Sequence, residues 1–161
     1  MGAESQGVPG AVDRIAPGPR LERIWIKRRR REATEEVARA TLLAGSGIDG
    51  NADRGGRRQV TILSLDRWRE LMAELGSDLD PRARRANLLV SGIELAESRG
   101  RVLAVGNCAL RIRGETRPCE RMDEALPGLR EAMRARWGGG VFAEVVRGGE
   151  IAVGDAAAWE E

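Results

Sequence analysis

The dipeptide Pro118-Cys119 is the part of this sequence best suited to chemistry, because its cysteine lies between Arg117 and Arg121. Positive charge favours the ionised thiol, and the thiolate is the form of cysteine that attacks electrophiles and binds metals. Cys119 is therefore a candidate nucleophile and metal ligand. The alternative is that its sulfur fills space in a core, as the sulfur of an unreactive cysteine does.

Arginine is concentrated in the part of the chain that leads to Cys119. Residues 81–119 contain eight arginines and three glutamates, a charge of +5, whereas the whole chain has a net charge of +2. A planar guanidinium group matches two phosphate oxygens at once. If the fold brings the turn at Arg84 and Arg85 close to Cys119, we expect a pocket that attracts anions and favours the thiolate.

The residue types that the chain lacks exclude several function classes. It has no histidine and two cysteines, which excludes a Ser-His-Asp triad, a Cys-His pair and a structural zinc site. Its one lysine, Lys27, lies in a strand-like segment, which argues against covalent pyridoxal phosphate chemistry.

Composition and charge pattern also argue against nucleic acid as a partner. With no tyrosine and one phenylalanine, the chain lacks the aromatic platforms on which single-stranded nucleic acids stack. The basic run at 27–31 is followed at once by acidic residues, which favours a solvated strand end over a phosphate patch.

The apolar residues are distributed as in a protein without a membrane span. The chain has no uninterrupted apolar run of about 18 residues. Its first residues lack the basic and apolar regions of a signal peptide. We therefore expect a cytoplasmic protein without a membrane partner, whose cysteines stay reduced.

Glycine turns and short apolar runs predict a mainly β domain. Residues 1–20 are rich in proline and glycine and predict a disordered lead-in, so a single domain is expected over residues 21–161. A tight hairpin is predicted at Gly106-Asn107, and it places Cys108 on an apolar face as a core residue.

Two short helices interrupt these predicted strands. The segment 64–76 has apolar residues at helical spacing, with Ser64 or Asp66 to cap its start and Gly76 to end it. The segment 129–137 repeats large apolar residues every four positions before three glycines. Many strands, glycine turns and few short helices indicate a β-barrel.

Four motifs, in order, resemble those of the MOSC family, the domain named after the C-terminal part of molybdenum cofactor sulfurase. They are "GIDGNADRGGRRQVTILS", "RRANLLVSGIEL", "GETRPCERMDEALPGL" and "GGVFAEVVRGGEIAVGD". The likeness extends from about Leu21 to Trp159 and is greatest to small bacterial stand-alone members. It implies a MOSC-like β-barrel.

The resemblance also implies which residues form the site. Cys119 matches the cysteine of the family's Pro-Cys motif, which in relatives ligates the molybdenum of a pterin cofactor. An Arg/Asn motif of the family helps to hold this cofactor, whose terminal phosphate needs positive partners. The cofactor-binding residues implied here are Arg58, Arg84, Arg85, Asn87 and Arg117.

The glycine loop departs from the family pattern. Many relatives have Gly-Asp and His-Gly-Gly there, whereas this chain has Gly50-Asn51 and Arg54-Gly55-Gly56. The departure removes the acid and the imidazole of that loop, and Asp53 is a partial substitute. Some family members are fused to a desulfurase domain that uses pyridoxal phosphate, but the sequence shows no such domain.

Three functions remain open from the sequence. The first is a molybdenum-pterin oxidoreductase that reduces N-hydroxylated compounds, with Cys119 as the metal ligand. Its electrons would come from a partner reductase or ferredoxin, because the chain has neither a dinucleotide fingerprint nor iron–sulfur cysteine spacing. The second is a non-enzymatic carrier of the cofactor or of a persulfide on Cys119, supplied by a cysteine desulfurase. The third is a small anion-binding domain with an inert cysteine.

Overall fold

A computed structural model describes residues 18–161 of the chain. Its strands are β1 Arg20–Ile26, β2 Glu35–Val37, β3 Arg39–Leu43, β4 Gly47–Ile48, β5 Val60–Ser64, β6 Leu88–Ser91, β7 Val102–Val105, β8 Cys108–Glu115, β9 Val141–Arg147, β10 Gly149–Ala152 and β11 Ala157–Trp159. Its α-helices are α1 Leu65–Leu75, α2 Glu120–Ala125 and α3 Leu129–Ala132, and two 3-10 turns span Pro81–Arg84 and Ala135–Trp137. The predicted lead-in falls mostly outside the described residues, and its disorder stays a prediction.

Most strands of residues 18–161 belong to one large sheet, with the order β11-β7-β8-β9-β5-β6-β1-β2. A smaller sheet has the order β10-β3-β4. Neighbouring strands are antiparallel except for β5 and β6, which run parallel and are connected through α1. The mainly β fold class predicted from the sequence is therefore confirmed.

The large sheet curls but does not close into a continuous ring, since β11 and β2 are its two edges. The start of β1 nevertheless meets the segment before β11. The Leu21 amide donates to the Asp155 carbonyl at 2.9 Å, and the Gly154 amide donates to the Leu21 carbonyl at 2.8 Å. The barrel predicted from the sequence is thus a curled sheet whose ends meet over a few residues.

Both faces of the large sheet are covered, which gives the described chain two apolar cores. The inner core includes Ile24 and Cys108, both fully buried. The outer core lies under the helices and includes Trp25 and Trp68. Successive residues of β1 therefore enter different cores, because side chains alternate along a strand. The prediction that Cys108 is a core residue is confirmed.

Helix α1 forms as the sequence predicts. The Ser64 hydroxyl accepts a hydrogen bond from the Arg67 amide at 3.0 Å and caps its start. Gly76 ends it in the left-handed conformation, with φ 64°. The helix covers the parallel pair β5 and β6 from the outside.

The second predicted helix is shorter than expected. It ends at Ala132, and Arg136 and Trp137 both have φ 54°. Met133 packs in the outer core whereas Trp137 packs against the inner core. The chain must turn between these two cores, so one helix cannot extend over the whole of 129–137.

Candidate functional site

Cys119 lies at the surface, at the point where the chain leaves β8 and begins α2. The backbone around it is fixed, because the Thr116 amide donates to the Gly140 carbonyl at 2.8 Å and the Met122 amide donates to the Cys119 carbonyl at 3.0 Å. Its own side chain caps no amide of α2. The thiol is therefore held in place by its backbone and exposed, and it is not a core residue.

Arg84 connects the turn at Pro81–Arg84 with the segment that carries Cys119. Its Nε donates to the Gly139 carbonyl at 3.0 Å, and its Nη2 donates to the Thr116 carbonyl at 3.1 Å. Burial lowers the pKa of the Arg84 guanidinium, and negative charge on the Cys119 sulfur acts in the opposite direction. The turn at Arg84 and Arg85 thus lies close to Cys119, which is the condition that the sequence analysis set for an anion-attracting pocket.

Gly139 allows this close approach. A Cβ at this position would strike the Thr116 carbonyl oxygen and would lie 3.2 Å from Nη2 of Arg84. The glycine is needed for the space next to its backbone, since its φ does not lie in the left-handed region.

Cys119 lines a basic groove that is formed by two adjoining cavities. The smaller, of about 150 Å³, contains Cys119, and the larger, of about 380 Å³, lies beneath the glycine loop. Lys27, Arg58 and Thr61 line both. Within residues 18–161, seven basic side chains line this groove, and Asp53 is its one carboxylate: the bases are Lys27, Arg30, Arg54, Arg58, Arg84, Arg85 and Arg121.

Lys27 is a residue of this groove that the sequence reasoning missed. Its backbone is fixed on both sides, as its amide donates to Oδ1 of Asn51 at 2.8 Å and its carbonyl accepts from the Ala52 amide at 2.6 Å. Burial lowers the pKa of its ammonium group, and nearby arginines, Arg85 first, lower it further.

The prediction of a solvated strand end is therefore wrong for Lys27, and Arg30, although exposed, also lines the groove. Arg28, Arg29 and Arg31 are exposed as expected. The difference arises because Ile26 ends the buried part of β1 and the next residue enters the groove. Lys27 is the one lysine in an arginine-rich chain, and this is the sequence signal that could have identified it as a site residue.

Asn87 lies at the centre of a buried hydrogen-bond network and is 2% exposed. Its Oδ1 accepts from the amide and the hydroxyl of Thr61, at 3.1 and 3.2 Å. Its Nδ2 donates to the Trp25 carbonyl at 3.1 Å and to Oδ1 of Asn51 at 3.2 Å. These four bonds use both donors and both acceptor positions of the amide. Asn87 therefore joins β1, β5 and the glycine loop, and through Asn51 it fixes Lys27.

The structure brings most of the predicted site residues together. Arg58, Arg84, Arg85 and Cys119 line the smaller cavity, and Asn87 lines the larger one. Arg85 has φ 63° and donates from Nη1 to the Glu32 carbonyl at 2.6 Å. Asp53, the partial substitute in the glycine loop, forms an ion pair with Arg30 at 3.2 Å.

Arg117 is the exception among the predicted site residues. It lines a separate cavity together with Pro118 and Arg130, outside the groove that Cys119 opens onto. Thr116 lines the groove while Arg117 lines the other cavity, so these two neighbouring side chains point to opposite sides of the chain segment. Its role in cofactor binding stays a prediction.

Helix α2 is the element of the site that the sequence reasoning did not predict. It begins directly after Cys119 and contributes Arg121 and Met122 to the wall of the smaller cavity. Acidic residues in its first turn and Pro127 shortly beyond its end are the signals that could have found it.

The described residues offer no ready site for a bare metal ion. In the range 18–161, no three side chains from His, Cys, Asp and Glu lie close enough together to hold one. In that same range, none of the helices has the length and apolar character to cross a membrane.

The fold and the groove define a small, mainly β protein with a surface cysteine at the end of a basic cleft. A family model described as the MOSC domain matches residues 49–158. The chain therefore belongs to the MOSC domain family, as the four sequence motifs indicated.

Three solved structures resemble this chain in fold. The YuaD protein from Bacillus subtilis is 23% identical, with a TM-score of 0.71 over 86% of this chain and 93% of its own. YiiM from Geobacillus stearothermophilus is 15% identical, with a TM-score of 0.72 over 89% of this chain and 75% of its own. YiiM from Escherichia coli is 13% identical, with a TM-score of 0.66 over 88% of this chain and 70% of its own. No curated protein matches the sequence significantly.

Proposed function

We propose that this protein binds the molybdenum cofactor, a phosphorylated pterin, in the basic groove, with the Cys119 thiolate as a ligand of the metal. The observation that carries the proposal is the exposed thiol at one end of a groove that has seven basic side chains and one carboxylate in the described chain. Soft thiolate ligands suit redox metals, and guanidinium groups suit phosphate.

The groove fits such a group in both its size and its chemistry. Its larger cavity, of about 380 Å³, has the size of a small-molecule site, and the cavity of about 150 Å³ extends it towards Cys119. Arg30, Arg54 and Arg58 surround the larger cavity and would hold the phosphate. The Thr116 hydroxyl, on a residue 6% exposed, lines the smaller cavity and has no hydrogen-bond partner among the described residues. A ligand next to Cys119 would supply the partner that this buried hydroxyl lacks.

The protein's own residues would position the cofactor and supply charge and protons. Arg84, fixed by two carbonyls, would place its positive charge beside the metal-binding end of the groove. Lys27 differs from the six arginines of the groove because an ammonium group with a lowered pKa can release a proton. Asn87 contributes by holding the walls of the groove together. When bound, the cofactor would supply two-electron redox chemistry at the metal.

We further propose that the reaction is the reduction of N-hydroxylated compounds, with electrons from an external reductase or ferredoxin. Cleaving an N–O bond to give an amine and water consumes two electrons and two protons. Lys27 would donate one proton, and the second would come from water. The exposure of Cys119 favours a second candidate, a carrier that holds sulfur as a persulfide on Cys119 or hands on the cofactor. A thiol at the surface is accessible to a cysteine desulfurase.

Metal analysis separates these functions. The wild-type protein, purified from a molybdenum-replete host that makes the cofactor, is expected to contain molybdenum in equimolar amount and to lose it in Cys119→Ser. Cys108→Ala is the matched control, because this second cysteine is buried away from the groove and should leave the metal content unchanged.

The outcomes distinguish the candidates. Molybdenum together with turnover of an N-hydroxylated substrate in the presence of a reducing partner supports the oxidoreductase. Cyanide-releasable sulfur on Cys119 without molybdenum supports the carrier. If wild-type protein and Cys119→Ser contain neither molybdenum nor labile sulfur, both candidates are wrong and an anion-binding domain with an inert cysteine is left.

A further inference from the structure

The cavity that holds Arg117 is separate from the groove and has a chemistry of its own. Its volume is about 410 Å³, and in the described chain it is lined by Glu115, Arg117, Pro118, Arg130 and Arg134. It lies on the other side of the chain segment that leads into Cys119. Since Arg117 precedes Cys119 by two residues, their Cα atoms are at most about 7 Å apart.

The guanidinium groups of this cavity are only partly neutralised. Within residues 18–161, Arg134 pairs with Glu131 at 3.2 Å, whereas Arg117 and Arg130 form no ion pair. Glu115 lines the cavity without an ion pair to any of the three arginines in the same part of the chain. The cavity therefore holds three guanidinium groups and one carboxylate, and neither Arg117 nor Arg130 is paired with a carboxylate of the described residues.

Arg130 of this cavity is not fully hydrogen-bonded. Its Nε is buried and has no hydrogen-bond partner among the described residues. Its backbone is fixed, because its amide donates to Oδ1 of Asp123 at 3.0 Å. A buried donor without an acceptor costs free energy, and an anion in the cavity would remove that cost. A concave cavity is also better suited to binding a small molecule than to binding a protein partner, whose surface is flatter.

We propose that this cavity is a second anion site, which binds the phosphoryl group of a small molecule between Arg117, Arg130 and Arg134. The site is independent of the groove and of the function proposed for it. Its position next to Cys119 would allow a phosphorylated compound to bind beside the reactive thiol, with its anionic end on the far side of Pro118.

Titrations with inorganic phosphate and with glycerol phosphate test the site, with the Nε–Hε NMR resonance of Arg130 as the readout. We expect saturable shifts with at least one of the two ligands. Saturation by both assigns the site to phosphate esters as well as free phosphate, and saturation by inorganic phosphate alone restricts it to the free ion. Arg117→Gln and Arg130→Gln each remove a charged hydrogen-bond donor and should weaken phosphate binding about tenfold or more. Binding to Arg117→Gln is followed on the Arg130 resonance, and binding to Arg130→Gln on the Nε–Hε resonance of Arg134.

The controls separate this site from the groove. Arg101→Gln removes an exposed guanidinium that lies over the ring of Trp159, 4.3 Å from its centroid, and should bind phosphate as the wild type does. Cys119→Ser and Arg58→Gln alter the groove and should leave the Arg130 titration unchanged, so a failure of the cofactor proposal would not affect this result. The inference is wrong if neither ligand gives saturable shifts, or if Arg117→Gln and Arg130→Gln, folded by circular dichroism, bind as tightly as the wild type.

Discussion

Replacing Asn87 with alanine tests whether the structure around the groove depends on a buried side-chain amide whose donors and acceptors are all hydrogen-bonded within the protein. The substitution removes four hydrogen bonds, to the amide and hydroxyl of Thr61, the Trp25 carbonyl and the Asn51 side chain. At a net value of about 1 kcal/mol per bond, we expect a loss of about 2–5 kcal/mol in the free energy of unfolding. With an m-value of about 2 kcal/mol/M, the urea midpoint should fall by about 1–2.5 M.

Two further variants sharpen this test. Asn107→Ala removes an exposed amide at the β7–β8 turn and should change the free energy of unfolding by no more than about 0.5 kcal/mol. Asn87→Asp keeps the shape but cannot donate to the Trp25 carbonyl or to Asn51, so it should also destabilise. If Asn87→Ala is as stable as Asn107→Ala, or Asn87→Asp as stable as the wild type, the network does not hold the groove together.

Three other outcomes follow from the structure. Iodoacetamide should modify the folded protein once, on the exposed Cys119, and should modify the buried Cys108 only after unfolding. Two adducts on the folded protein, counted by mass spectrometry, would contradict the burial of Cys108. Gly139→Ala should lose about 1–3 kcal/mol in urea unfolding, because its Cβ would strike the Thr116 carbonyl, and equal stability would show that the backbone can shift. Burial and nearby arginines lower the pKa of Lys27 in the folded state, so the unfolded chain binds more protons between that lowered pKa and the ordinary value of about 10.4. Stability should therefore rise with pH across this window in the wild type relative to Lys27→Met, and parallel pH profiles of the two proteins would refute the shift.

Local patterns in the sequence determined several elements correctly. The spacing of Trp68, Leu71 and Met72 specifies α1, because residues three and four apart share one face of a helix. Gly106-Asn107 specifies the β7–β8 hairpin, because a two-residue turn needs a residue that accepts positive φ, and Gly106 has φ 56°. The same hairpin alternation placed Cys108 in the core.

The choice of Cys119 as the candidate cysteine was also within reach of the sequence. Its Pro-Cys motif and the surrounding arginines indicated Cys119, and the turn at Arg84 lies beside it as expected. These features depend on residue types and on short spacing, which a chain carries before it folds.

The composition of the groove was decided by the tertiary structure. Lys27 faces the groove only because the glycine loop and the turn after the 3-10 segment pack around the end of β1. Arg117 lies outside the groove because its side chain and that of the buried Thr116 point to opposite sides of the segment that leads to Cys119. Residues far apart in sequence meet through packing, and neither composition nor local periodicity contains that information.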